Sequence, residues 1–195
     1  MNNKKLFEPD IKKCLKGLVN GGVILYPTDT IWGIGCDATS PVAVERIISI
    51  KKRHPEKGFI ILVNGWKMLS EYVSQIPETV REFTTEHKRP LTVVYPLVRG
   101  FAANAISSDG SAGIRIVKDS FCRSLLRQFR KPIISTSANE SGKPFPRNFS
   151  EINRRIIKKC DYAVKFRQEE TFVNFPSDII RFDEEKKAIF IRKTP

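Results

Sequence analysis

Short apolar runs alternate along this chain with segments whose apolar residues recur at helical spacing. Runs such as VILYP at 23–27 and FIILV at 59–63 suit strands buried on both faces. Between them, residues 41–52 have a helical pattern with Pro at the first position and basic residues in the last turn. No apolar run approaches the roughly 20 residues that a membrane-spanning helix needs. The alternation predicts an α/β protein, with a twisted mixed β-sheet that carries helices on its faces.

The predicted elements extend over nearly the whole chain. Helices are predicted over 11–19, 41–52, 67–73, 77–86, 120–129 and 150–159. Ser120 and Ser150 are the predicted N-caps of the last two helices. Strands are predicted over 23–27, 59–63, 91–96, 113–117, 133–136, 162–166, 178–182 and 188–192. No repeat or flexible linker interrupts this order, and we therefore expect one domain over residues 1–195.

The chain is strongly basic. Its 34 Lys and Arg residues exceed its 21 Asp and Glu residues, which gives a formal net charge of +13. Such an excess favours anionic partners such as nucleotide phosphates or nucleic acid. Basic residues cluster at 51–57, 123–131 and 154–159. The last two clusters are interpreted as solvated faces of helices.

Cysteine and histidine usage excludes several site classes. The four cysteines form no C-x-x-C pair, and there are only two histidines, so a zinc site is not expected. The N-terminus lacks the apolar segment of a secretory signal. We therefore expect a cytoplasmic protein with reduced thiols.

Two nucleotide-binding motifs are absent or incomplete. Gly33, Gly35 and Ala38 match G-x-G-x-x-A, but TDTIW separates them from the preceding strand and the later acidic residue is missing. We interpret these glycines as positions of tight turns or close backbone packing. No P-loop motif occurs.

Polar side chains follow several predicted strands. In PIISTSANESGKP, at 132–144, Ser135, Ser137 and Asn139 follow an apolar run without a G-x-S-x-G motif or an obvious base, which argues against a serine nucleophile. Thr30 lies in a similar loop. Each loop is also compatible with an ordinary turn. Arg115, within a strand, fits either a carboxylate clamp or a salt bridge. Together these loops predict a site that positions anions.

The motifs YPTDTIWGIGCDA, ISIKKRHPEKG, PLTVVYP, GIRI, STSANESGKP and FPSDIIRF, in this order, resemble the YrdC/TsaC family. These are the L-threonylcarbamoyladenylate synthases of tRNA modification. The resemblance covers about residues 11–192 and implies the short, single-domain form with a basic concave cleft. It implies a nucleotidyltransferase that makes threonylcarbamoyl-AMP and pyrophosphate from L-threonine, bicarbonate and ATP. Mg²⁺ is expected to arrive with ATP, and the product to pass to a separate tRNA threonylcarbamoyl transferase.

The resemblance also implies roles for individual residues, carried over motif by motif. Lys51 and Arg53 are the expected catalytic residues. The expected ATP-binding residues are Arg53, Lys57, Ser111, Ser135, Asn139, Arg147 and Arg192. The expected L-threonine-binding residues are Thr30, Arg115, Ser137 and Ser177. No residue is expected to bind a metal directly.

The chain departs from the family pattern at a few positions. His54 separates Arg53 from Pro55, and Arg147 stands where a small hydroxyl residue is common. An alternative function is a non-catalytic protein that binds double-stranded RNA or tRNA in the same basic cleft through phosphate contacts. A related protein with altered chemistry is a third hypothesis, which the retained K-x-R and STSAN motifs disfavour.

Overall fold

The computed structural model describes residues 4–53 and 58–194. Within them, nine strands form one sheet with the order β7-β1-β2-β6-β3-β5-β4-β8-β9. Strands β1 and β7, β3 and β5, and β4 and β8 pair in parallel, and the other neighbours are antiparallel. The strands are β1 Ile24–Tyr26, β2 Gly33–Gly35, β3 Ile60–Val63, β4 Leu91–Tyr95, β5 Ala112–Ile116, β6 Ile133–Ser137, β7 Tyr162–Ala163, β8 Asp178–Phe182 and β9 Ala188–Arg192. The predicted α/β class with a mixed sheet is confirmed.

Helices cover the sheet and complete a single apolar core. The helices are α1 Lys4–Val19, α2 Pro41–Lys51, α3 Trp66–Tyr72, α4 Glu78–Glu86, α5 Ser120–Phe129 and α6 Arg154–Lys159, with short 3-10 helices at Ala103–Ala105 and Phe149–Glu151. Helix α1 packs against α5, β1 and β7, and α5 and α3 both contact β3. None of the helices in the described ranges is long and apolar enough to cross a membrane.

Strand β2 is absent from the predicted elements because two of its three residues, in Gly-Ile-Gly, are glycines, which are depleted in strands. Its glycines are required by close packing. A Cβ atom on Gly35 would lie 2.2 Å from the carbonyl oxygen of Ile134 on β6. The interpretation of these glycines as positions of close backbone approach is confirmed at Gly35.

Both predicted N-caps are wrong, because a different nearby side chain caps each helix. Asp119, not Ser120, caps α5, because its carboxylate accepts a hydrogen bond from the backbone N–H of Cys122 at 2.8 Å. Asn153 caps α6 in the same way, while Ser150 lies in the preceding 3-10 turn. A side-chain oxygen one or three residues away thus takes the capping role.

Two other boundaries differ from the prediction. Helix α1 begins at Lys4, before Pro9, whereas the predicted helix begins at residue 11. Its first turns are held by Phe7, whose buried ring lies 5.6 Å from the Phe121 ring and 5.2 Å from the Phe166 ring. Of the predicted strand 162–166, only Tyr162–Ala163 forms a strand, although the N–H of Val164 also donates to the Leu25 carbonyl on β1.

Candidate active site

A cleft of about 450 Å³ opens over the middle of the sheet. Its lining carries four basic side chains and no acidic side chain within the described ranges. This composition fits an anionic ligand. The cleft is lined by eight of the residues that the sequence predicted for the site, namely Thr30, Arg53, Arg115, Ser135, Ser137, Asn139, Ser177 and Arg192.

Sheet register brings the strand residues of the cleft to one face. Ser137 lies opposite Gly33, and Ser135 lies opposite Ile60, which in turn lies opposite Gly113. Opposed residues share a face, and Arg115 shares it too because it lies two residues after Gly113. Gly33 keeps this floor open, since a Cβ atom there would lie 3.0 Å from the Ser135 hydroxyl.

Arg115 is the most buried cation of the cleft lining, with 3% of its surface exposed. Its Nη1 donates to the Thr30 hydroxyl at 3.1 Å, and its Nη2 lies 3.3 Å from a carboxylate oxygen of Asp29. Its buried Nε has no hydrogen-bond partner in the described part of the chain. The salt-bridge alternative is therefore realised, and a donor remains for a ligand.

The loop after β1 is held by its own hydroxyls. The Thr28 hydroxyl donates to the Ile31 carbonyl at 2.8 Å and accepts the N–H of Thr30 at 3.0 Å. It also lies 2.8 Å from the Thr30 hydroxyl. The loop is thus a side-chain-stabilised turn, and that turn directs Thr30 towards Arg115.

Lys51 lies beneath residues 135–139, which we call the STSAN loop, and not on the surface of the cleft. Its side chain is 1% exposed, and Nζ donates to the carbonyl oxygens of Ser137 at 2.5 Å and Asn139 at 2.7 Å. Burial, and then the nearby charge of Arg53, lowers the pKa of Lys51 to about 7. In this arrangement Lys51 therefore holds the STSAN loop. Its expected contact with ATP phosphates stays a prediction.

Arg53, in contrast, lines the cleft. Lys52 adopts a left-handed conformation with φ 51° that ends α2, and Arg53 follows this turn. The Arg53 Nη2 donates to the Gly58 carbonyl at 2.7 Å, and its guanidinium lies 4.6 Å from the centre of the Phe59 ring. Burial lowers its pKa. The predicted contact Lys57 lies outside the described residues.

The far side of the cleft is formed by Ser177 and Arg192. The Arg192 Nε donates to the Ser177 carbonyl at 2.9 Å, and the Ser177 hydroxyl lies 2.8 Å from that of Thr92. Burial lowers the pKa of Arg192, and the charge of Arg115 lowers it further. The two arginines therefore repel each other across the cleft, and a bound anion would relieve that repulsion.

Asn139 closes the STSAN loop with its side chain. Its Nδ2 donates to the Lys143 carbonyl at 2.5 Å, and its Oδ1 lies 3.3 Å from Lys51 Nζ. Lys143, Phe145 and Trp32 also line the cleft. Sequence reasoning missed all three, although Trp32 lies two residues after PTDT and Lys143 lies within STSANESGKP.

Two predicted ATP contacts lie outside the cleft lining. Ser111 turns back on its own loop, where its N–H donates to a carboxylate oxygen of Asp109 at 2.9 Å. Arg147 pairs with Glu151 four residues later, with Nη2 2.6 Å from the carboxylate, and lines a neighbouring small pocket. A local acidic partner thus draws Arg147 away from the cleft, and both nucleotide contacts stay predictions.

The described part of the chain contains no cluster of His, Cys, Asp or Glu that could hold a metal ion. The cleft offers hydroxyls, amides and cations. Its chemistry is therefore suited to binding and orienting an anion.

The profile of the Sua5/YciO/YrdC family, described as telomere recombination, matches residues 16–194. A threonylcarbamoyl-AMP synthase of Coxiella burnetii (strain RSA 331 / Henzerling II) is 32% identical over 157 residues, which are 80% of this chain and 83% of that protein.

Solved structures share the fold. P. abyssi Sua5 complexed with L-threonine has a TM-score of 0.83 and 23% identity over 95% of this chain and 54% of that one, so the chain spans about half of that protein. E. coli YciO has a TM-score of 0.81 and 21% identity over 95% of this chain and 89% of that one. Because the family profile covers most of its length, the chain belongs to the Sua5/YciO/YrdC family.

Proposed function

We propose that the protein is an L-threonylcarbamoyladenylate synthase. In this role it is a nucleotidyltransferase that converts L-threonine, bicarbonate and ATP into threonylcarbamoyl-AMP and pyrophosphate. The curated relative that is 32% identical is named threonylcarbamoyl-AMP synthase, and the structural neighbour P. abyssi Sua5 has been solved with L-threonine. The sequence-level resemblance to the synthases of tRNA modification supports the same function.

The geometry of Arg115 is the observation that carries the proposal. A buried guanidinium that is held by Thr30 and Asp29, and that keeps Nε unpaired within the described ranges, is suited to a small carboxylate. The amino acid carboxylate would take this position, with Thr30, Ser137 and Ser177 around it. Arg53 and Arg192 then provide positive charge for the nucleotide phosphates, with Ser135 on β6 and Asn139 just after that strand.

The reaction needs little chemistry from the protein. The threonine amine attacks the carbon of bicarbonate, a C–O bond breaks and water leaves, which gives a carbamate. One oxygen of that carbamate then attacks the α-phosphorus of ATP. The bond from that phosphorus to the bridging oxygen breaks, and pyrophosphate leaves. The described cleft lining supplies no acidic side chain to act as a base. Catalysis therefore rests on alignment of the reactants, worth roughly 7–11 kcal/mol in well-oriented systems, and on stabilisation of charge by the arginines.

Mg²⁺ fits this site only as a companion of ATP. The described lining has no carboxylate to bind the ion, and Mg²⁺ is commonly held by substrate phosphates and water. When bound, the ion would neutralise charge on the phosphates. The chain's own residues would bind and orient the nucleotide.

The size of the cleft favours the enzyme over the RNA-binding alternative. A volume of about 450 Å³ is typical of small-molecule sites, which occupy roughly 300–1,000 Å³. A groove for duplex RNA would be open and extended. We place the activity in the cytoplasm, where ATP and the tRNA-modifying transferase that consumes the product are expected.

Pyrophosphate release tests the proposal. The purified protein is incubated with L-threonine, bicarbonate and Mg-ATP, and each substrate is omitted in turn. We expect release that needs both L-threonine and bicarbonate, with threonylcarbamoyl-AMP detected by mass spectrometry. Release that is independent of L-threonine, or no release from correctly folded protein, would contradict the proposed function.

A further inference from the structure

Arg167 lies outside the cleft, on the loop after β7, and joins three separate segments of the chain. Its Nη1 donates to the Thr28 carbonyl at 3.2 Å and to the Asp119 carboxylate at 3.2 Å. Its Nε donates to the Glu170 carboxylate at 2.6 Å. One guanidinium thus connects the loop after β1, the N-cap of α5 and its own loop.

The backbone of Arg167 adopts a conformation that is unfavourable for arginine. Its φ is 70°, in the left-handed region that glycine usually occupies. Residues other than Gly, Asn and Asp rarely adopt this backbone conformation without compensating contacts. The three hydrogen bonds of the guanidinium provide that compensation, and the side chain is mostly buried, with 19% exposed.

A continuous set of hydrogen bonds leads from Arg167 to the cleft. Arg167 holds the carbonyl of Thr28, whose hydroxyl fixes the N–H and the hydroxyl of Thr30. The Thr30 hydroxyl in turn accepts from Arg115. The contact at Thr28 therefore acts on both the position of Thr30 and the orientation of the Arg115 guanidinium.

The anchoring acids keep Arg167 from moving towards the cleft. Asp119 accepts from the backbone of Cys122 at the start of α5, and Glu170 lies three residues further along the Arg167 loop. Both carboxylates therefore bind the guanidinium from outside the cleft. These contacts suit a supporting role, and Arg167 is not part of the cleft lining.

We propose that Arg167 is a positioning residue for L-threonine, which it fixes indirectly by holding the loop that carries Thr30. The proposal rests on the proposed function, because it assigns Thr30 to the amino acid substrate. Arg167 contacts neither substrate and is not a catalytic residue. Its loss should affect L-threonine more strongly than ATP, whose expected contacts Arg53 and Arg192 lie on other segments.

The test compares Arg167→Gln with Arg167→Lys in the pyrophosphate assay. For Arg167→Gln we expect the KM for L-threonine to rise about tenfold and the KM for ATP to change less than twofold. Arg167→Lys keeps the charge beside Asp119 but loses the planar fork, so it should restore part of the threonine affinity. Arg130→Gln is the matched control, because Arg130 is exposed and also left-handed, with φ 60°.

A second variant separates positioning from folding. Asp119→Asn keeps a capping oxygen on α5 but removes the ion pair with Arg167, and it should raise the KM for L-threonine in the same direction. Melting temperatures and hydrogen exchange of the 28–32 peptide are measured for each variant. We expect faster exchange there in Arg167→Gln, since the Thr30 N–H is bonded within this loop.

The outcomes distinguish the two proposals. If Arg167→Gln changes both KM values equally, or changes only the melting temperature, the positioning role is wrong while the enzyme remains. If the wild-type protein shows no threonine-dependent release, the proposed function fails, and the role of Arg167 towards L-threonine fails with it. Threonine-selective loss with partial rescue by lysine supports the role.

Discussion

The cations of the cleft and those of the outer surface of α5 are chemically alike but differ in their surroundings. Arg115 is almost fully buried and contacts the carboxylate of Asp29 and the hydroxyl of Thr30. Arg123 and Arg127 on α5 and Arg130 at its C-cap are exposed, and none forms an ion pair within the described ranges. Water can solvate the outer arginines, whereas the buried ones need other partners.

This difference separates the cations that suit a role in binding an anion from those that water can solvate. Burying a cation is unfavourable unless it is paired and hydrogen-bonded. The lowered pKa values of Lys51, Arg53 and Arg192 reflect that cost, since burial is the largest cause in each. A bound anion offsets it. The net charge of +13 alone does not separate these two groups of cations, but burial does.

The largest effect is expected for Arg115→Gln. This substitution removes charge-assisted hydrogen bonds to the substrate carboxylate, each worth about 1.5–3 kcal/mol, and kcat/KM for L-threonine should fall roughly 100-fold. The KM for ATP should change much less. Steady-state kinetics with each substrate varied provides the measurement. Unchanged threonine kinetics in this variant would show that Arg115 does not bind the substrate.

Lys51→Met should have the next largest effect. It leaves the carbonyls of Ser137 and Asn139 without their buried donor, and each unsatisfied group costs about 1–3 kcal/mol. We expect kcat/KM for ATP to fall about tenfold as the STSAN loop loosens. Lys52→Met is the matched control, because Lys52 is the exposed neighbour that pairs with Glu140. Equal losses in both variants would contradict a specific role for Lys51.

Binding of ATP should change the protonation of Lys51. Its pKa is lowered to about 7 by burial and by Arg53, and a nearby polyphosphate would favour the charged form and raise that pKa. At pH 8 we therefore expect uptake of a fraction of a proton on binding. Calorimetry in two buffers of different ionisation enthalpy measures it. The uptake should vanish in Lys51→Met, and proton release by the wild-type protein would contradict this assignment.

The smallest effect is expected on the outer surface of α5. The triple variant with Arg123, Arg127 and Arg130 replaced by Gln changes solvated side chains, for which stability effects are typically within about 0.5 kcal/mol. Its melting temperature should shift by only about 2 °C, and its synthase kinetics should match those of the wild type. A tenfold loss of activity would show that this surface takes part in the reaction.

Residue patterns predicted the strands and the cleft well because both follow from local physics. Buried strands such as β3 and β4 are apolar runs bounded by turns, and the cleft residues follow or occupy strands whose alternation fixes their face. Thr30, Arg115 and Ser137 line this cleft, and their individual roles came from the family resemblance. Strand β2 was missed because its identity depends on how closely Gly35 must approach β6.

The direction of long side chains could not be predicted from the sequence. Lys51 points under the STSAN loop because the left-handed turn at Lys52 ends α2 beneath carbonyls from β6. Arg147 points away from the cleft because Glu151 lies within reach four residues later. Both depend on which partner is nearest after folding, and a motif does not specify that.

The most direct test compares the binding of L-threonine and L-threoninol, which differ only in the carboxylate. Titration calorimetry should show binding of L-threonine to the wild-type protein. No binding of L-threoninol should be detected, because Arg115 then has no anion to hold. Comparable affinity for the two compounds would contradict the central claim that the buried arginine of the cleft is retained to bind the carboxylate of the substrate.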